Sequence, residues 1–444
     1  MTKKISLKQI NKLAIPALIA GIAEPILSIT DTAIVGNIDV NATESLAAVG
    51  IVGTFISMLI WVLGQTRSAI SSIVSQYVGA NKIDKINDLP AQAILIITSL
   101  SILIIAFTYP FTNSIFKLYN ASNLILEYSS NYYKIRVFGF PFTLFSIAVF
   151  GTFRGLQNTY YPMIIAIIGA LLNIVLDLVL VFGIDGFIPA FNIEGAAYAS
   201  LIAQFVMAAF SAYYLLKKTS ISLKPTFPFN KEIKTFILII LNLFVRTLAL
   251  NATLYFATRF ATGYGPEYIA AYTIAINLWF FGAFFIDGYA SAGNILSGKL
   301  LGSKDYKTLI TLSNSLIKYG IIIGVLLAMV SGVFYYPLGL LFSQDPAVLN
   351  LFYNTFWIML AIQPICALAF IFDGMFKGLG KVSYLRNVLL FSTFVIFIPL
   401  LFGLNYLGYG FNSIFIAFAL WMVARGIPLI IKFRKMYLPR TQNH

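Results

Sequence analysis

Twelve stretches of about twenty or more mostly apolar residues, each set off by a short polar break, constrain this chain more than any other feature. Their approximate limits are 12–36, 45–79, 90–112, 125–153, 161–183, 193–216, 233–262, 267–300, 308–336, 347–376, 384–404 and 412–431. Twenty helical residues cross roughly 30 Å of hydrocarbon. The expected fold is therefore an all-α membrane protein of twelve transmembrane helices. Composition agrees, with 59% hydrophobic and only 10% charged residues and a mean hydropathy of +0.87.

The polar breaks alternate in charge. One set of breaks and both chain ends hold 22 of the 30 Lys and Arg, whereas the other set holds mainly Asp39, Glu44, Asp185, Glu267 and Asp345. Basic loops mark the cytoplasmic side. The expectation is a multi-pass protein of the cell inner (plasma) membrane with both termini in the cytoplasm. The net charge of +14 then reports topology, and no nucleic-acid partner is expected. The N-terminal run after MTKKISLKQINK exceeds a signal-peptide core and lacks a small-residue cleavage site, so it reads as the first span. Cys366 is the single cysteine and His444 the single histidine. That excludes an internal disulfide, a multi-cysteine metal site and an intramembrane imidazole relay. No phosphate-binding Gly-rich loop or Ser-His-Asp set occurs, so neither direct ATP chemistry nor an enzyme is expected, and no cofactor.

A shift of 223 residues lays GTFRGLQN, from Gly151, on GMFKGLGK, from Gly374; it also lays Pro141 on Pro364 and QYVGAN, from Gln76, on KLLGSK, from Lys299. A constant offset over separated blocks argues for two duplicated halves. An even number of spans in each makes them parallel repeats, a common transporter design. The expected organisation is an N-terminal lobe over residues 1–216, a polar linker over 217–232 containing two prolines, and a C-terminal lobe over 233–444.

Carboxylates within such spans cost about 2.5–3.5 kcal/mol to insert and are normally partnered inside protein. Five require a reason: Glu24, Asp31, Asp177, Asp287 and Asp373. Asp31 lies about 28 Å of helical rise beyond Lys12, and Asp177 about 22 Å beyond Pro162, which sets both at comparable depth. Asn173 shares the helical face of Asp177. Two adjacent carboxylates in a low-dielectric pocket cannot both ionise cheaply, so a proton or a sodium ion becomes a natural occupant. If sodium were the ion, Asp31, Asp177 and Asn173 would ligate it. Alternatively, each acid accepts hydrogen bonds and simply ties the helices together.

Several motifs in order, LAIPALIAG..EPILSITDTAIVG, SQYVGA, FRGLQNTYYPM and NIVLDLVLVFG...NIEGAAYAS, make the chain resemble the multidrug and toxic compound extrusion (MATE) family, and FIDGYASAGNILSGKLLG with FDGMFKGLGK resembles its DinF branch. The resemblance implies twelve helices in two lobes forming a V. It implies alternating-access export of organic cations or other amphiphilic compounds against an inward proton or sodium flux. It assigns ion coupling to Asp31, Asn173 and Asp177 and to a hydroxyl at Ser200, where threonine is commoner in the family. It assigns bending of the first helix to Pro16, and Pro25 is a second break on that helix. Glu24 departs from the uncharged polar residue expected there; it either adds a protonation site or pairs with a base. Asp287 is a further candidate for protonation and a gate partner for Arg67, with Arg246 as its rival partner. Asp373 is expected to pair with Lys377 four residues on.

The reading is a secondary antiporter, with small amphiphilic or cationic molecules and the bilayer as partners and a monomer as the expected state. The alternative is a lipid or lipid-linked oligosaccharide flippase of the same superfamily.

Overall fold

The computed structural model describes residues 5–38 and 41–441; within the first helix, the side chains of residues 24, 25 and 27–29 lie outside that description. Helix α1 (Leu7–Val35) is followed by α2 (Ala42–Leu63), α3 (Thr66–Gly79), α4 (Leu89–Thr108), α5 (Thr112–Lys117), α6 (Asn123–Arg136), α7 (Phe140–Gly155), α8 (Tyr160–Phe182) and α9 (Asn192–Lys218). After the linker come α10 (Glu232–Tyr264), α11 (Pro266–Gly302), α12 (Tyr306–Val333), α13 (Tyr335–Phe342), α14 (Pro346–Ala361), α15 (Gln363–Gly378), α16 (Val382–Phe391), α17 (Ile398–Tyr406) and α18 (Asn412–Tyr437). Among the described residues the only β pairing is one isolated bridge, Ile184 to Ile188.

Among the described residues, ten helical segments are long and apolar enough to cross a membrane, and the pair α14 and α15, bent by 51°, makes an eleventh if it is one span. α1, at 29 residues, covers the first of the twelve stretches expected from sequence. The breaks have local causes. Pro141 and Pro364 each stand in the first turn of a helix, α7 and α15. Proline lacks the N–H that a continuing helix would need, so the preceding helix ends there. The stretch expected over 384–404 runs on from α16 to α17 through a π-helical segment, Ser392–Phe397, within one helical span, Val382–Tyr406. Its Thr393 hydroxyl shares a 3.0 Å hydrogen bond with Thr253 and accepts one from Trp421 Nε1 at 3.2 Å.

Two compact units emerge. One contains Ile19–Tyr77 and Lys82–Ile240; the other contains Leu241–His444 with Val78–Asn81 and the chain up to Leu18. α1 thus contributes its first turns to the second of these, where Ile10, Leu13 and Ala14 join a buried cluster with Ile286, Leu316 and Phe372, and the rest of its length to the first. The polar linker is anchored within its own unit: Asn230 Nδ2 donates to Asp88 Oδ1 at 2.8 Å and Gln92 Nε2 donates to the Thr226 carbonyl at 2.7 Å.

The sequence repeat reappears as a packing repeat. A side chain on Gly151 would lie 2.7 Å from the Arg67 carbonyl oxygen, and one on Gly155 would meet Val74 at 2.5 Å and the Ser71 carbonyl at 3.3 Å. In the other unit, Gly374 and Gly378 have the Ala290 and Asn294 carbonyls at 2.1 and 2.0 Å from the same ideal position. Both the glycines and the residues they touch obey the 223-residue offset. Two glycines four apart let helix backbones approach closely, an arrangement that favours association where water does not drive packing.

Valine at Gly374 or Gly378 should therefore cost about 1–3 kcal/mol through overpacking and lower the melting temperature of the purified protein. Alanine at Gly53, mid-helix with nothing within 4 Å of its added methyl, should raise stability by about 0.5–1 kcal/mol. Equal melting temperatures for all three variants would contradict the packing described.

Candidate functional site

Along α8 the buried residues Pro162, Ala166, Gly169, Asn173, Asp177 and Val181 recur at spacings of three and four, a single stripe down one face. The stripe meets α9, whose buried Ala196, Ala197, Ala199 and Ala203 keep the helices close. At Gly195 an added methyl would lie 2.4 Å from the Leu180 carbonyl. This tight pairing sets Ser200 of α9 against Asn173 of α8. Asn173 Nδ2 donates to Ser200 Oγ at 3.3 Å, and Ser200 Oγ donates to Asp31 Oδ2 of α1 at 3.3 Å.

The four residues are 5% (Asp31), 2% (Asn173), 0% (Asp177) and 3% (Ser200) exposed. Asp177 lies close enough to Asp31 for the two carboxyl groups to share a hydrogen bond when one is protonated. Four oxygens in this group, Asp31 Oδ1, Asn173 Oδ1 and both of Asp177, are buried with no hydrogen-bond partner among the described residues. Buried acceptors left in this way are costly, and a bound proton or small hard cation would satisfy them. The oxygen donor set fits either ion.

Two residues not singled out from sequence complete the surroundings. Tyr132 and Arg136, both on α6, are within electrostatic range of each other, and Tyr132 is within range of both acids and Arg136 of Asp177. Arg136 also lines a narrow cleft with Tyr133, Phe140, Thr143 and Gln204, and the buried Gln204 Oε1 lacks a partner. The sequence signal was available: an arginine inside the expected 125–153 span demands a partner as much as the acids do.

The other intramembrane acids fall elsewhere. Asp373 is 5% exposed and carries more than the single expected pair with Lys377, whose Nζ is 2.9 Å from Asp373 Oδ2. Arg246 of α10 donates from Nη2 to Asp373 Oδ1, and Arg425 Nη2 of α18 stands 3.7 Å from the same oxygen. Arg246, read from sequence as a rival partner for Asp287, is thus the partner of Asp373, because the buried carboxylate of α15 offers it a hydrogen-bonded ion pair. Asp287 is exposed on α11, within electrostatic range of Lys377. Arg67 lies on α3, and its buried Nε has no partner among the described residues. Pro16 lies in α1, which is helical without interruption from Leu7 to Val35. Glu24 and Pro25, candidates for protonation and bending, fall outside the residues whose side chains are described.

The MatE family model matches the chain twice, over residues 16–179 and 239–402, at the same 223-residue offset. "Protein DETOXIFICATION 42" of Arabidopsis thaliana is 25% identical over 94% of this chain and 90% of its own length. "DNA damage-inducible protein F" of Escherichia coli (strain K12) is 25% identical over 96% of this chain and 92% of its own. The fold is shared with a crystal structure of MATE in the bent conformation, with a TM-score of 0.90 at 21% identity over 98% of this chain and 96% of that one.

Two outcomes are expected from these sites. Ser200→Ala removes both hydrogen bonds of Ser200; loss of the one to Asp31, worth about 1 kcal/mol, should weaken any cation binding at the acid pair about fivefold, read as cation-dependent thermal stabilisation, whereas Ser200→Thr should retain it. Asp373→Asn takes the only contacting anion among the described residues from three clustered cations and should destabilise the protein by about 3–5 kcal/mol, seen as loss of monodisperse protein or a large fall in melting temperature.

Proposed function

Because the chain belongs to the MatE family of multidrug efflux transporters, we propose that it is a secondary active antiporter exporting organic cations or other amphiphilic compounds in exchange for protons or sodium ions. The observation that carries this reading is the buried acid pair, with its three unpartnered carboxylate oxygens, the unpartnered amide oxygen of Asn173 beside them, and the Asn173–Ser200–Asp31 hydrogen-bond chain. Ion uptake supplies what those oxygens lack. When the ion leaves, the pair returns to two competing carboxylates, a state that favours the next capture.

Asp31 and Asp177 hold the ion, Asn173 offers an amide oxygen beside them, and Ser200 fixes the orientation of Asp31. Coupling requires only that ion-loaded and ion-free forms differ in their affinity for the exported molecule. A potential of 100 mV supplies about 2.3 kcal/mol for each charge moved, and a concentration gradient of the ion adds to it.

The test is export from proteoliposomes under an imposed proton or sodium gradient, with ion movement followed in the same vesicles. Asp31→Asn and Asp177→Asn should each reduce gradient-driven export at least tenfold while the protein stays folded and inserted. Full export by either variant would remove the acid pair from the mechanism. Movement of a lipid-linked oligosaccharide, with no drug-dependent ion flux, would instead favour a flippase.

A further inference from the structure

In the unit built mainly from Leu241–His444, α12 is the helix least covered by protein. Only 17% of its most apolar stretch is buried, the smallest share among the ten candidate spans of the described residues. Its buried residues Leu309, Leu312, Leu316 and Gly320 recur at spacings of three and four down one face. On the opposite face Lys307, Asn314 and Lys318 are all exposed, and their helical spacing sets them in one stripe. Beyond Lys318 the same stripe turns aliphatic, with Ile321, Val325 and Met329 exposed by 40%, 38% and 53%.

Depth makes these cations unusual. α12 has 28 residues, about 42 Å of helix against roughly 30 Å of hydrocarbon, and Lys318 stands about 18 Å of rise beyond Tyr306. Helical side chains lean toward the start of the helix, and lysine stems lie along apolar surface while their ammonium groups reach for the interface. The Lys318 ammonium is thereby directed back toward the turn of Asn314. A cation on such a span requires an anion. Among the described residues neither Lys307 nor Lys318 forms an ion pair. The neighbouring carboxylate, Asp305, caps the helix by accepting the Thr308 N–H at 3.0 Å. Arg440 adds a third cation at this end of α12, its guanidinium over the rings of Tyr306 at 5.4 Å and Tyr437 at 5.6 Å.

The scaffold does not require this stripe. By the 223-residue offset, Lys307, Asn314 and Lys318 correspond to Asp84, Ala91 and Leu95. Helix α4, the counterpart of α12, contains no Lys or Arg.

We propose that the exposed face of α12 binds an anionic phospholipid, with its phosphate at Lys318 and Asn314, Lys307 and Arg440 holding its negative charge from further out, and its acyl chain along Ile321, Val325 and Met329. Lipid is what meets an exposed aliphatic face within a span, and a phospholipid is the bilayer component that joins an anion to such a chain. Lys318 to Met329 covers about 16 Å of rise, close to half the hydrocarbon thickness and so to the depth of one chain. The excess of cations over Asp305 selects a headgroup of net negative charge. The ion-exchange reading is not needed for any of this.

The test uses the full-length protein in nanodiscs of phosphatidylcholine with and without phosphatidylglycerol. Phosphatidylglycerol should raise the melting temperature, and native mass spectrometry of protein released from the mixed lipids should find it retained in preference to phosphatidylcholine. Lys318→Leu puts an apolar residue in an apolar setting and should fold, yet weaken that retention about fivefold, the effect of one lysine near an anionic lipid surface. Lys318→Arg should keep it. Lys218→Gln, which removes an exposed cation from the end of α9, should leave retention unchanged. Equal melting temperatures in the two lipids, or undiminished retention by Lys318→Leu, would overturn the proposal. An equal loss in Lys218→Gln would overturn it too, by reducing the effect to net charge. Transport is not measured, so full export by Asp31→Asn would leave the result standing.

Discussion

Charge buried in helices meant for hydrocarbon is the constraint on which the organisation of this protein turns. Each such group must find its complement inside the protein, since lipid offers none. Asp373 finds three cations, Arg246 among them hydrogen-bonded. Asp31 and Asp177 find mainly each other, an amide and a hydroxyl. A carboxylate paired with cations stiffens its surroundings; open acceptors have capacity to bind.

What carries both is a duplicated scaffold. The glycine pairs 151/155 and 374/378 bring helix backbones together at equivalent places, and Pro141 and Pro364 interrupt equivalent spans. The polar chemistry is not duplicated. Asp31, Asn173, Asp177 and Ser200 correspond to Leu254, Ile396, Leu400 and Val423 in the other half. The close-packed framework is common to both halves, and the acid pair belongs to one of them alone.

Much of this was legible in the residues. Length and apolarity give the spans, because hydrocarbon thickness fixes how many residues a helix needs. The repeat and the shared face of Asn173 and Asp177 follow from spacing alone. Helix breaks were less legible: α2 and α3 divide within one apolar run, and α16 passes to α17 through a π-helical segment, since hydropathy averages over a turn's geometry. The partner of Arg246 is not legible, because sequence gives depth along a helix and no rotation about it. Arg136 carries a signal of its own, since a basic group inside a span poses the same energetic question as an acid.

The serine in the acid site has a directional consequence. A hydroxyl carries one hydrogen and two lone pairs, so Ser200 accepts from the Asn173 amide and gives its hydrogen to Asp31 Oδ2 at the same time. Asp31 Oδ2 is thereby engaged, while Oδ1 has no hydrogen-bond partner among the described residues. One hydroxyl makes the two oxygens of a single carboxyl group unequal.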